Sequence, residues 1–215
     1  MRRLLTTLAI AGFIAAPALA EPAALDARID AMARAWDHAN YEVQGPAKVS
    51  QLAAIAAQAG ALVKQYPTRA EPLIWKGIAL STEAGAKGGI GALGLAKDAK
   101  ASLEKAEKID ATALNGSVYT SLGSLYYQVP GFPVGFGDKT KARAYLRKAL
   151  AANPNGVDSN FFYADFLIHE GQYAEAERAL QKALAAPARA GREIADRGRH
   201  AEAAALLAQV RGKKG

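Results

Sequence analysis

The sequence predicts an all-α solenoid, a stack of antiparallel helix pairs. About a quarter of the 215 residues are alanine, the strongest helix former, whereas only 7% are aromatic. Three segments also align without gaps, each with Ala, Leu and Ala at steps of four and three, as in Ala142-Arg-Ala-Tyr-Leu146-Arg-Lys-Ala149. This spacing places the three side chains on one stripe of a helix. A short helical unit that recurs in this way is typical of a repeat array.

The three stripes begin at Ala99, Ala142 and Ala176, so they are 43 and 34 residues apart. A second amphipathic helix precedes each stripe and carries a small residue that lets the two helices of a pair touch. These small residues are Ala79, Gly123 and Ala164. Each unit is therefore predicted to be a helix pair.

The last two units carry a recognisable pattern. The 34-residue spacing, Tyr119-Leu122-Gly123-Tyr126 and Gly171-Gln-Tyr173-Ala-Glu-Ala176 resemble tetratricopeptide repeats (TPRs) over about residues 72–188. The resemblance implies a solenoid of about four helix pairs plus a C-terminal capping helix. It also implies a concave groove, lined by the first helix of each pair, that binds a protein or peptide.

Four segments are predicted along the chain. Residues 21–66 form a degenerate first helix pair, and residues 67–188 form the TPR-like repeats. Two glycine-rich insertions, 85–94 and 129–138, are expected to be loops inside helix pairs. Residues 189–215 form a capping helix and tail with seven basic and three acidic residues.

The N-terminus has the features of a cleavable signal peptide. Arg2 and Arg3 precede the apolar run 4–16, and Pro17-Ala18-Leu19-Ala20 supplies small residues for cleavage after Ala20. The run is shorter than the roughly 20 apolar residues that a spanning helix needs. We therefore expect a periplasmic or secreted protein without an integral membrane segment.

Composition argues against most catalytic chemistry. The chain has no cysteine, which excludes thiol catalysis, disulfides and cysteine-bound metals. The three histidines, His38, His169 and His200, lack metal-ligand spacing, and neither a nucleophile elbow nor a phosphate-binding loop is present. The basic tail has no aromatic residues for stacking on nucleic acid. We expect no enzyme activity, cofactor, metal site or nucleic-acid partner.

Two regions contain candidate binding residues. By alignment with TPRs, groove-facing residues are Lys76, Thr120, Ser124, Tyr127, Gln128, Phe161, Asp165 and His169. Further positions carried over in this way are Leu73, Leu80, Glu83, Ser117, Asp158 and Ile168. In the second insertion, Phe132 and Phe136 either fold back over the helix pair or form a lid over the groove, and Asp138 is expected to cap the next helix.

Two functions follow from this pattern. The leading interpretation is a scaffold that engages a protein partner through its groove. The alternative is a binder of a small apolar solute in a closed pocket beneath Phe132 and Phe136. That alternative rests on a weak fold-level similarity to the T-component proteins of tripartite periplasmic transporters. An unrecognised hydrolase is the remaining possibility.

Overall fold

The computed structural model describes residues 20–213. The predicted signal peptide, residues 1–20, lies outside the described residues except for Ala20, where the first helix begins. None of the helices described is long and apolar enough to cross a membrane.

Within residues 20–213 the regular structure consists of nine helices. They are α1 Ala20–Tyr41, α2 Gly45–Gln65, α3 Glu71–Lys87, α4 Gly89–Asp110, α5 Ala113–Gln128, α6 Lys139–Ala152, α7 Val157–His169, α8 Tyr173–Leu184 and α9 Glu193–Gly212. Each helix packs against the next one along the chain, most extensively in the pairs α2/α3, α3/α4, α5/α6 and α7/α8. α2 packs more extensively against α3 than against α1, and α9 packs against α8. The predicted all-α solenoid of four helix pairs plus a C-terminal helix is confirmed.

The prediction of a loop at 85–94 is wrong. α3 continues to Lys87 and α4 starts at Gly89, so only Gly88 separates them. Gly88 and Gly89 have φ of 62° and 63°, a region that glycine enters without a Cβ clash, and the chain reverses there sharply. The extra residues instead lengthen the helices, which have 17 and 22 residues against 13 and 12 in α7 and α8.

The alanine–leucine stripes form the core between paired helices. Ala142, Leu146 and Ala149 on α6 are at most 1% exposed. A Cβ atom at Gly123 on α5 would lie 2.6 Å from Cγ of Leu146, so the glycine is what allows the two helices to approach this closely. Gly77 on α3 has the same relation to Leu103 on α4.

The inner helices close into a ring. α1, α3, α5, α7 and α9 contact one another in that order, and α9 also contacts α1. At the junction, Arg192 donates two hydrogen bonds of 2.7 Å to the buried carboxylate of Asp37, and Gly198 lies against the ring of Tyr41. The last helix therefore does more than cover the end of the array, because it joins that end to the first helix.

Candidate functional site

The ring of inner helices surrounds a cavity of about 450 Å³ that is partly open to solvent, here called the chamber. Its volume lies within the roughly 300–1,000 Å³ of typical small-ligand sites. Part of the chamber lining consists of hydroxyl and amide side chains, namely Ser81, Thr82, Ser117, Thr120, Ser121, Ser124, Ser159, Asn115, Asn153 and Asn155. Trp36, Trp75 and Phe162 add aromatic surface, and Ile78, Leu114, Val157 and Pro187 add further apolar surface. The chamber therefore suits a ligand that has both hydrogen-bonding and apolar parts.

An arginine–carboxylate cluster forms one wall of the chamber. Asp158, in the first turn of α7, accepts hydrogen bonds from Arg189 at 2.8 Å and from Arg199 at 2.9 Å. Burial raises the pKa of Asp158, but the charges of Arg199 and Arg189 outweigh it and hold the pKa below its usual value. Arg189 also binds Asp196. Because the arginines are paired with carboxylates, this wall offers directed donors rather than a surplus of positive charge.

A strained turn also contributes to the chamber wall. Leu114, Asn115 and Gly116, at the start of α5, have φ of 51°, 57° and 71°, in the left-handed region. A non-glycine residue held in the left-handed region, such as Leu114 or Asn115, costs about 1–3 kcal/mol of stability, and such residues often mark a functional site. Ser117 stabilises the turn by donating a 2.6 Å hydrogen bond to the Leu114 carbonyl. The turn brings the side chain of Asn115 to the chamber.

The two tryptophans of the chamber wall differ in the hydrogen bonding of their indole N–H groups. Trp75 is only 4% exposed, and its indole N–H is buried with no hydrogen-bond acceptor in the described structure. By contrast, the indole N–H of Trp36 donates to the hydroxyl of Thr82 at 3.1 Å. An unsatisfied buried donor costs about 1–3 kcal/mol of stability.

The structure places only some of the predicted groove residues in the chamber. Thr120 and Ser124, together with the carried-over positions Ser117 and Asp158, line it. Lys76 does not, because on α3 the residues that face the chamber are Trp75, Ile78, Ser81 and Thr82. Leu73, Leu80 and Glu83 are buried. Phe161 is also buried at 7% exposure, and its neighbour Phe162 takes the predicted position in the wall.

The other predicted residues form a separate cluster at the C-terminal ends of α5 and α7. The hydroxyl of Tyr127 donates a 2.6 Å hydrogen bond to Asp165 and accepts one from Gln128 at 3.1 Å. The His169 ring lies 5.4 Å from that of Tyr127, between centroids. Burial and the Asp165 carboxylate raise the pKa of the Tyr127 hydroxyl well above its usual value. The cluster is thus a neutral tyrosine held by a carboxylate, and it is not part of the chamber wall. The carried-over position Ile168 is half-buried and packs against the core.

The segment 129–138 is a loop between α5 and α6, with its two phenylalanines in opposite environments. Phe136 packs edge-on against the ring of Tyr126, with centroids 5.8 Å apart, whereas Phe132 is 94% exposed. Asp138 caps α6 by accepting a 3.0 Å hydrogen bond from the amide of Lys141, as predicted. None of the residues in this loop lines the chamber, so the pocket predicted beneath the two phenylalanines is not the cavity that the structure forms.

Sequence reasoning missed most of the chamber wall contributed by loops and by α9. Asn153, Asn155, Pro187, Arg189 and Arg192 lie between helices, where a helical repeat pattern assigns no role. The basic residues in 189–215 could have indicated a contribution to the chamber wall, but such a cluster is also typical of a solvated cap. Among residues 20–213, no group of three or more histidine, aspartate or glutamate residues could hold a metal ion.

Comparison with known proteins supports the repeat assignment. Residues 135–193, which span α6 to α8, match the family model described as Tetratricopeptide repeat. This segment therefore matches the tetratricopeptide repeat in sequence. The fold of the chain is similar to the crystal structure of a thermophilic TPR protein from Thermus thermophilus, with a TM-score of 0.54 and 22% identity. The match covers 87% of this chain and 96% of the other, so the similarity of fold extends over most of this chain. No curated protein matches the sequence.

Proposed function

We propose that this protein is an exported scaffold that binds a short, extended segment of a protein partner in the chamber. TPR proteins in general are non-enzymatic interaction scaffolds, which is the broad role assigned here. The observation that carries the finer proposal is the set of hydroxyl and amide side chains on a concave face that α9 joins into a ring. A chamber of this volume accommodates a few residues of extended chain rather than a folded domain.

The chemistry of the wall suits a peptide backbone. Extended backbone presents unpaired N–H and C=O groups, and the asparagine amides of the wall can pair with both. The hydroxyls of Ser81, Thr82, Ser117 and Ser159 already donate to backbone carbonyls, so they remain available as acceptors.

Panning a displayed random-peptide library on the purified protein tests this proposal. Ser124→Trp fills the chamber and is expected to abolish binding of the selected peptides. Gln181→Trp, at an exposed position on the outer helix α8, is the matched control and is expected to leave binding unchanged. Equal binding by both variants would mean that the chamber is not the site. Native mass spectrometry of protein purified from its host distinguishes the alternative, because a retained apolar molecule would favour solute binding.

Export is proposed from the sequence of residues 1–20 alone. Mass spectrometry of the N-terminal peptide, from a periplasmic or culture-medium fraction of the host, is expected to find a chain that begins at Glu21. A chain in the cytosolic fraction that retains Met1 or Arg2 would contradict it.

A further inference from the structure

The tip of the loop 129–138 exposes two apolar side chains. Phe132 is 94% and Val134 64% exposed, the highest values among the large apolar side chains that the structure describes. Together with Pro133 between them they form a continuous apolar tip. Exposed apolar groups that are clustered, rather than scattered singly, usually mark a contact surface.

Hydrogen bonds within the loop hold this tip in place. The amides of Val134 and Gly135 both donate to the Gly131 carbonyl at 3.1 Å, and the Gly137 amide donates to the Pro130 carbonyl at 2.9 Å. At the base of the loop, Phe136 packs against the core. The tip is therefore presented outward from a fixed base, and its apolar side chains do not pack back onto the helices.

The helix that follows the loop is strongly basic. α6 has five cationic residues and no carboxylate, namely Lys139, Lys141, Arg143, Arg147 and Lys148. Lys139 binds Glu170 at 2.8 Å, and Lys148 lies 3.7 Å from Glu107. Lys141, 60% exposed, lies 3.9 Å from Asp138, the cap of its own helix. Arg143 lies 3.6 Å from the same Glu170, so three cations and two carboxylates lie at the end of α6 beside the apolar tip, an excess of one positive charge.

We propose that the tip and the first turn of α6 form a docking surface for an anionic lipid bilayer. Phe132 would enter the interfacial region while Lys139 and Lys141 lie over the acidic headgroups. A single phenylalanine buries about 150–250 Å². A stable protein interface needs about 800 Å² from each partner, so the tip alone is too small for one. Insertion at a membrane surface needs only such a small apolar element with adjacent positive charge. The proposal is independent of what the chamber binds.

Tryptophan fluorescence of the full chain tests this docking surface directly. In Phe132→Trp, vesicles that contain phosphatidylglycerol and brominated phosphatidylcholine are added to the protein. The fluorescence emission of the new indole is expected to shift to shorter wavelength and to be quenched by the bromine atoms. The native Trp36 and Trp75 are at most 8% exposed, and the unsubstituted chain measures their constant background. Ile109→Trp, at a half-exposed position on α4, is the matched control and is expected to show no lipid quenching.

The electrostatic contribution is tested separately. Lys141→Gln is expected to weaken vesicle binding by Phe132→Trp about fivefold, the typical contribution of one basic residue near an anionic surface. Lys182→Gln on α8, also exposed, serves as the control, and high salt should release the protein. Equal quenching at positions 132 and 109 would overturn the proposal. A protein partner would then be the favoured occupant of the apolar tip. Equal quenching in vesicles of phosphatidylcholine alone would overturn the role of the lysines.

Discussion

The ion pair between Arg192 and Asp37 is predicted to hold the ring of inner helices closed. The two residues are 155 positions apart in sequence, and they join the segment before α9 to α1. The perturbation is Arg192→Met, which keeps most of the length of the side chain and removes its charge and its two hydrogen bonds.

The expected loss of stability depends on the carboxylate that remains after Arg192 is replaced. The side chain of Asp37 is only 2% exposed, so without Arg192 it becomes a buried charge without its cation. Removing one partner of a buried pair costs about 3–5 kcal/mol. The side chain of Arg192 is itself 21% exposed, so water already reaches this junction and the lower end of that range, about 3 kcal/mol, is expected.

Urea denaturation of matched variants measures this loss. Arg197→Met is the control, because Arg197 also links α9 to the end of α1, through Glu42 at 3.8 Å, but both side chains are exposed. That pair is worth about 0–1 kcal/mol. The double variant Asp37→Leu/Arg192→Met removes the stranded charge and is expected to recover most of the stability. If Arg192→Met loses no more stability than Arg197→Met, the reasoning about closure is refuted.

Three further predictions concern packing, capping and pH. Gly123→Ala is expected to lower the melting temperature. Overpacking against Leu146 costs about 1–3 kcal/mol, which exceeds the roughly 0.5–1 kcal/mol gained in helix propensity. An unchanged melting temperature would contradict this prediction. Asp138→Ala should cost about 1 kcal/mol in urea denaturation through loss of the α6 cap, and no loss would contradict the capping role. Asp158→Asn should destabilise the protein at neutral pH. Arg199 helps to hold the pKa of Asp158 below its usual value. The ionised carboxylate therefore adds its full stabilisation of the folded state above about pH 4, and this stabilisation is lost as pH falls through the folded-state pKa. The difference from the unsubstituted protein should therefore shrink in acid, and a difference that does not depend on pH would contradict the assignment.

The helix pairs could be predicted because their signal is local. The stripe of Ala142, Leu146 and Ala149 follows helical periodicity, and Gly123 marks the close contact with the preceding helix. The reversal at Gly88 could not be distinguished from a loop, because a glycine-rich composition is compatible with both. Only the packing of α3 against α4 decides between them.

The chamber was less predictable because its wall combines distant segments. Thr120 and Ser124 follow from the repeat alignment, but the alignment selects Phe161, one residue away from the true wall position. The closure by Arg192 and Asp37 depends on the superhelical path of the whole chain. No local pattern encodes that path.

The two ends of the solenoid meet and surround the chamber, and the distance between α1 and α9 tests this most directly. Because the chain contains no cysteine, Ala35→Cys on α1 and Ala208→Cys on α9, both exposed, provide a unique pair of spin-label sites. Double electron–electron resonance between them is predicted to give one narrow distance distribution at the separation in the structure. In the Arg192→Met variant the distribution should broaden. A broad distribution that extends to longer distances in the unsubstituted ring would show an open superhelix and contradict the claim.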